Sequence, residues 1–378
     1  AEPPLVSFAA RNHPWEKAMK IVFVYADSKE EWNSSEWRCA VPYRAINRNG
    51  RHQAFMIGIE DFAHHDPQAD EICQAADIIV VERNLFGPVL SAIQYWKARD
   101  KVVLADFDDA YHLMHPSNHN YSYWIQGVRH DNGQKVEPPP LTQFKWGLRL
   151  VHAATTPSRR LADDWRAYTE MIYIPNYIDL NLYQNASVQE HEGIIIGWGG
   201  SVSHYQSFVD SGLIPALQRL CRARPHVRIM FCGNDVRVVK QLNLPKDQLI
   251  HVPWVPHNQW ATVLSQFDIG IAPLAGEYDQ RRSWIKVLEY MIMKIPWVAS
   301  EGPPYEEFRS YGWLVQNTAQ AWQRVLLDVV DHWEAYKKEA SGEAYLVGLS
   351  KSIDENIHLT LKRYAEIYEK VLGQPIAV

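Results

Sequence analysis

Three groups of residues have types and spacings that can do chemistry. Lys286 and Glu289 stand three apart in a run whose apolar members Trp284, Ile285, Leu288, Met291 and Ile292 recur at near-helical intervals. That spacing puts an ammonium and a carboxylate on one helix face, close to a start whose free N–H groups and dipole favour an anion. Arg282, Ser283 and Lys286 can meet a diphosphate, and Glu289 can accept two hydrogen bonds from a ribose diol. A surface ion pair on a solvated helix is the plainer reading of the same two residues. The second group is Asp106, Asp108 and Asp109 followed by His112. Three carboxylates in so short a span raise at least one pKa unless a cation, a hydroxyl donor or a helix start compensates. The third is the turn Gly199-Gly200-Ser201 with His204 just beyond it. Its glycines let backbone N–H groups approach a ligand, and Ser201 can cap a helix start aimed at a phosphate.

Each group needs an element to hold it. Ser283 predicts an N-cap for a helix that ends near Lys294, before Ile295-Pro296, and Trp297-Val298-Ala299-Ser300 predicts a strand. Residues 101–105 predict a strand that delivers the aspartates, and residues 193–197 one that delivers the glycine turn. Further apolar runs at residues 20–25, 53–59, 76–83, 227–232, 250–255 and 267–274 suit strands buried on both faces, and helical patterns alternate with them. This alternation predicts an α/β protein with parallel sheets, in which the loops at the carboxyl ends of strands face the ligand cleft. Ser34, Ser35 and Arg38 follow the first strand and are therefore candidate cleft residues. Residues 116–143 carry Tyr121, Trp124 and Pro138-Pro139-Pro140 without a period and read as a long binding loop, the candidate acceptor region.

The motifs resemble the GT4-like glycosyltransferases of the GT-B fold, the glycosyl transferases of group 1. Ser283-x-x-Lys286-x-x-Glu289-Tyr290 with Pro296-x-Val298-Ala299-Ser300 resembles a donor-domain signature of that family. Ile174-Pro175-Asn176-Tyr177-Ile178-Asp179, Gly197-Trp198-Gly199-Gly200-Ser201-x-x-His204 and Phe267-Asp268-Ile269-Gly270-Ile271-Ala272-Pro273-Leu274 agree with it in order. The resemblance implies two doubly wound Rossmann-like domains facing a cleft: an acceptor domain over residues 19–185 and a donor domain over residues 186–354. A final helix, within about residues 355–378, would cross back to the first domain. It implies transfer of a sugar from a UDP-, GDP- or ADP-linked donor to a hydroxyl acceptor, with retention and with neither metal nor other cofactor. Gly199, Gly200, Ser201, His204, Arg282, Ser283 and Lys286 would hold the diphosphate, Glu289 the ribose, and Val255 the nucleobase through its backbone.

Asp108, Asp109, His112 and Lys286 would be catalytic, with one carboxylate orienting a hydroxyl; a divalent metal site and a helix cap are the other readings of the aspartates. Ser34, Ser35, Arg38, Tyr121 and Trp124 would meet the acceptor. One position departs from the pattern. Where many members carry a first glutamate, eight positions before the second, this chain has Arg281. That departure keeps two rival functions in view, a sugar-nucleotide epimerase or hydrolase and a non-catalytic nucleotide-sugar or glycan binder.

Bulk composition narrows the classes further. A chain of 378 residues, 47% hydrophobic and 22% charged, fits two globular domains. A net charge of −6 argues against nucleic acid, since phosphate neutralisation needs a basic excess. Cys39, Cys73, Cys221 and Cys232 form no C-x-x-C pair, which suggests reduced thiols, a cytoplasmic location and no zinc site. No apolar run reaches the ~20 residues that a membrane-spanning helix needs, so any membrane contact would be peripheral. Residues 1–18 lack a signal-peptide pattern and read as an extension ahead of a strand that begins near Met19.

Overall fold

The computed structural model describes residues 17–184, 186–188 and 190–378. Most of the expected N-terminal extension, residues 1–16, lies outside them. Two six-stranded sheets, parallel throughout, organise the chain. The first comprises β1 (Lys20–Tyr25), β2 (Gln53–Gly58), β3 (Ile78–Glu82), β4 (Val102–Asp106), β5 (Ala153–Thr156) and β6 (Met171–Tyr173) in the order β2-β1-β3-β4-β5-β6. The second comprises β7 (Ile194–Gly199), β8 (Val227–Cys232), β9 (Leu249–Val252), β10 (Ile269–Ala272), β11 (Trp297–Ser300) and β12 (Trp313–Val315) in the order β12-β11-β10-β7-β8-β9.

The sequence dictates this layering. β3 and β4 read Ile-Ile-Val-Val-Glu and Val-Val-Leu-Ala-Asp, and all ten residues are buried, as parallel strands covered by helices on both faces must be. Each sheet accordingly has a separate apolar cluster on each face. In the first sheet the strand order reverses between β1 and β3; in the second it reverses between β7 and β10. Ligands of open α/β sheets bind outside the carboxyl ends of strands at such switch points. Residues just beyond these strand ends, Asp27 and Arg83 in the first half and Gly200 in the second, line one common cleft.

The final helix, Ile353–Leu372, returns to the first sheet as expected. Ser352 caps it by accepting from the Glu355 N–H, and Ile357, Leu361, Tyr364 and Tyr368 pack in one cluster with Val41, Ala45, Ile46 and the β1 residues Ile21 and Phe23. Each such aliphatic side chain contributes roughly 1.5–3 kcal/mol of burial, enough to hold the helix on the first half of the chain.

Two local expectations are corrected. Residues 116–143 are not one structureless loop. They contain the helix Tyr121–Gln126, an antiparallel bridge between Val128 and Lys135, and the start of the helix Pro140–Leu150. Trp124 anchors the segment by stacking on Tyr111, with centroids 3.8 Å apart and planes 5° from parallel. Ser283 does not cap the helix Ile285–Ile292, whose N-cap is Trp284 with no side-chain hydrogen bond. The Ser283 hydroxyl is taken up across the domain junction, where it accepts from Asn176 Nδ2 at 2.9 Å.

Candidate active site

The common cleft encloses about 340 Å³, and a side cavity of about 120 Å³ opens beside it. Gly199, Gly200, Ser201, Val255, Lys286 and Glu289 line the cleft from the second half, and Ser34, Asp109 and Trp124 line it from the first. His204, Arg282, Ser283 and Asp108 line the side cavity, and Asp109 and Lys286 border both spaces.

Lys286 and Glu289 project from the first turns of the helix Ile285–Ile292; Glu289 is buried and Lys286 partly buried. The Lys286 ammonium donates to the Gly199 carbonyl at 2.5 Å and lies 4.7 Å from the centre of the Trp198 ring. One Glu289 oxygen, Oε1, accepts from Tyr183 Oη at 2.7 Å and from Trp260 Nε1 at 2.9 Å. Among the described residues no group bonds Oε2, and Glu289 lines the cleft. Burial pushes Glu289 up to about 7 against the pull of Tyr183, Lys286 and Trp260, and it brings Lys286 down to about 8. An ion pair on a solvated helix would not carry these shifts. The plainer reading of Lys286 and Glu289 is therefore set aside.

Arg282 and His204 belong to one buried network. Arg282 Nε donates to Asp279 Oδ1 at 2.5 Å, and Asp279 Oδ2 accepts from the Ser207 hydroxyl at 2.5 Å. Because the Ser207 proton points to that carboxylate, its oxygen is free to accept from His204 Nδ1 at 3.3 Å. Burial, Arg282 and Lys286 all hold His204 well below its ordinary pKa, so it enters the cavity as a neutral imidazole. Ser201 caps only the short turn Val202–His204, by accepting from the Ser203 N–H.

On the opposite wall, burial first and the Asp109 charge second push Asp108 up to about 8. Among the described residues no three His, Cys, Asp or Glu side chains converge to hold a metal ion, the aspartate run included. Asp106 is structural. Its two oxygens take both prongs of the Arg38 guanidinium, at 2.8 and 2.7 Å.

This pairing removes Arg38 from the acceptor wall. Arg38 is buried, and its remaining nitrogen donates to the Ile174 carbonyl and to Asn176, each at 2.9 Å. Ser35 is also fully buried; its hydroxyl donates to Glu82 and accepts from the Asp27 N–H at 2.9 Å. Tyr121 packs against the core of the first half and does not line the cleft. His112 lines neither space, and its Nε2 is bonded to Asp164 at 2.9 Å.

Sequence reasoning missed the residues that hold the site from a distance. Tyr183 and Trp260 fix Glu289, Trp198 lies under Lys286, and Asp279 with Ser207 orients Arg282 and His204. Arg83 was missed too; it sits at φ +31° with its guanidinium on Asp27 at 2.6 Å and on Glu82 at 2.9 Å. A buried-looking aromatic carries no mark of which carboxylate it will meet. The one available signal was Arg83 itself, a charge at the end of a strand that faces the switch point.

Comparison with known proteins places the fold that carries this site. Residues 195–332 match the family model of the glycosyl transferases group 1. No curated protein matches the sequence. Among solved structures, the sucrose-phosphate synthase of Thermosynechococcus elongatus superposes with a TM-score of 0.58 at 14% identity, covering 93% of this chain and 100% of that one. The catalytic domain of starch synthase IV from Arabidopsis thaliana, bound to ADP and acarbose, gives 0.60 at 10% identity, covering 95% and 100%. A Listeria monocytogenes protein described as a UDP-N-acetylglucosamine 2-epimerase gives 0.56 at 10% identity, covering 96% and 99%. The two facing sheets and the returning helix give this chain the GT-B fold, and residues 195–332 of its second half match the glycosyl transferases group 1 model.

Proposed function

We infer that the chain transfers a sugar from a nucleoside diphosphate sugar to a hydroxyl acceptor, with retention and without a catalytic metal. The observation that carries this reading is the pair Lys286 and Glu289 facing the Gly199-Gly200-Ser201 turn. A departing diphosphate is the largest charge that develops in such a transfer, and fixed donors in an enclosed site stabilise it most. Lys286, Arg282 and the backbone of the turn supply that stabilisation, while Glu289 Oε2 receives the ribose hydroxyls. His204, held neutral, takes a hydroxyl at the side cavity instead of adding positive charge. Asp109, at the boundary of both spaces, orients the acceptor hydroxyl, and a leaving phosphate oxygen can take its proton. No protein nucleophile is required.

A second reading draws on Arg281, which stands where many family members carry a glutamate and is tied to Asp164 and Glu277. Under it, water or elimination replaces the acceptor. The test is a thermal-shift and calorimetric screen of UDP, GDP, ADP and their common sugar conjugates on the wild type and Glu289→Gln. Binding of one nucleotide that the substitution weakens supports the donor site and identifies the base. Consumption of the sugar conjugate without an acceptor favours the second reading. Binding without turnover under any acceptor marks a non-catalytic binder, and no binding by the folded protein removes the basis for all three.

A further inference from the structure

The two walls of the cleft carry opposite charge. Lys286 and, in the side cavity, Arg282 supply cations from the second half. The first half contributes Asp27, Glu30, Glu31 and Asp109 to the cleft; Asp108, in the side cavity, is held protonated near neutrality and adds no charge. Its one cleft-lining Lys or Arg among the described residues is Arg83, already spent on Asp27 and Glu82. Glu30 and Glu31 are solvent-exposed at the mouth, and neither side chain has an ion-pair or hydrogen-bond partner among the described residues. Among the described residues no cation forms an ion pair with Asp109, which is met by the Tyr278 hydroxyl.

A second feature of this wall calls for a ligand. Tyr111 lines the cleft, is 2% exposed, and its buried hydroxyl has no hydrogen-bond partner among the described residues. An unsatisfied buried hydroxyl costs about 1–3 kcal/mol, and native proteins seldom leave one without cause. It belongs to the same pocket edge as Asp109, with Trp124 stacked on its ring. A group rich in hydrogen-bond donors completes this arrangement: an ammonium or hydroxyl donates to Asp109, and a ligand oxygen accepts from Tyr111. A phosphate does the reverse, since it brings only acceptors and negative charge to a wall on which Glu30, Glu31 and Asp109 have no cation partner among the described residues.

We propose that the acceptor is an amine-bearing sugar or polyol, and that the carboxylate wall formed by Glu30, Glu31 and Asp109 selects it against phosphorylated acceptors. The inference rests on the glycosyltransferase reading, because it takes the second half of the cleft as the donor side.

The experiment measures binding, so it does not depend on knowing the true acceptor. The protein is saturated with whichever nucleoside diphosphate binds and titrated by NMR with four probes. These are the β-1,4-linked glucosamine disaccharide, its N,N′-diacetyl form, and glucose 6-phosphate beside glucose. A unit charge pair at contact in water corresponds to about fivefold in affinity. The amine disaccharide is therefore expected to bind at least about fivefold tighter than its acetylated form at low salt, and glucose 6-phosphate more weakly than glucose. The amine's advantage should shrink in 0.3 M salt and in the double variant Glu30→Gln/Glu31→Gln, whose exposed positions leave the fold intact, and again in Asp109→Asn. Equal binding of amine and acetylated forms, preference for the phosphorylated sugar, or no binding by any disaccharide overturns the inference. Nucleotide binding measured on the same samples separates the cases. Where it holds, only the acceptor class falls; where it fails, the glycosyltransferase reading falls with it.

Discussion

Arg281 reaches across the junction between the two halves and grips Asp164, with Nε donating to Oδ2 at 2.9 Å and Nη2 to Oδ1 at 3.2 Å. A residue standing where a family glutamate is expected has thus become a clamp on the helix Arg159–Trp165 of the first half. The same carboxylate takes His112 Nε2. Burial alone would raise the Asp164 pKa, but Arg281 and then His112 outweigh it and hold the carboxyl below its ordinary value.

The clamp is partly exposed, so its strength is modest. A double-mutant cycle with Arg281→Ala and Asp164→Ala should give a coupling of about 0.5–1 kcal/mol in urea unfolding at pH 7. The Asp164 pKa is depressed on folding, so this contribution is present above the unfolded carboxylate pKa and is lost as pH falls through the folded one. A coupling of zero at pH 7 would show that the two halves are held together without this pair.

Lys286 and Glu289 make the site sensitive to pH near neutrality. Glu289 sits above its ordinary 4.5, at about 7, so the folded chain holds an extra proton between those values and stability falls as pH rises across them. Lys286 sits below its ordinary 10.5, at about 8, so the folded chain holds fewer protons between about 8 and 10.5 and stability rises with pH there. The pair is therefore least favourable between about 7 and 8, where both groups are charged. Urea unfolding of the wild type, minus that of Lys286→Met/Glu289→Gln, should reach its minimum in that window. Nucleotide affinity should weaken as pH drops through about 7 in the wild type but not in Glu289→Gln, because the ribose needs the ionised carboxylate. A flat difference curve would mean that the pair is solvated.

Gly200 is required by contact. A Cβ added there would lie 2.7 Å from Trp198 Cζ2 and 2.8 Å from Lys286 Nζ. Gly200→Ala must therefore displace the ammonium or the ring beneath it, and overpacking of this kind costs about 1–3 kcal/mol. Nucleotide affinity should fall by roughly tenfold, equivalent to about 1.4 kcal/mol, while secondary structure by circular dichroism stays unchanged. Undiminished affinity would remove Lys286 from the diphosphate position.

The sequence made the scaffold readable because parallel strands announce themselves. Runs such as Ile78-Ile79-Val80-Val81 leave few other structures open, and the helix Ile353–Leu372 carries its own cap and apolar stripe. The donor half of the site was readable for a related reason: Lys286 and Glu289 lie on one helix, and the glycine turn is contiguous in sequence. The acceptor half was misread where a polar residue near a strand end turned inward. Ser35 and Arg38 follow β1 as ligand-contacting residues would, yet their partners, Glu82 and Asp106, lie 47 and 68 positions away. No local pattern announces a partner at that range. Ser283 failed similarly, since Asn176, 107 positions away, claimed the hydroxyl that local propensity assigned to a cap.

The correction at Arg38 gives a stability prediction that separates structure from chemistry. Burial works against the Arg38 charge, and the adjacent Asp106 more than restores it, so the guanidinium stays protonated throughout the accessible range. Asp106 also accepts from Thr155 Oγ1 at 2.5 Å, so the ion pair ties β4 to β5, to the turn after β1, and to the Ile174 and Asn176 segment. Removing one partner of a buried pair leaves an uncompensated charge, at a cost of about 3–5 kcal/mol. Arg38→Ala should lose about that much in urea unfolding, and Arg38→Lys should recover only part of it, because a single ammonium cannot reproduce the two-pronged contact. Fully folded Arg38→Ala protein should retain its nucleotide affinity. A variant that keeps wild-type stability but loses binding would return Arg38 to the cleft.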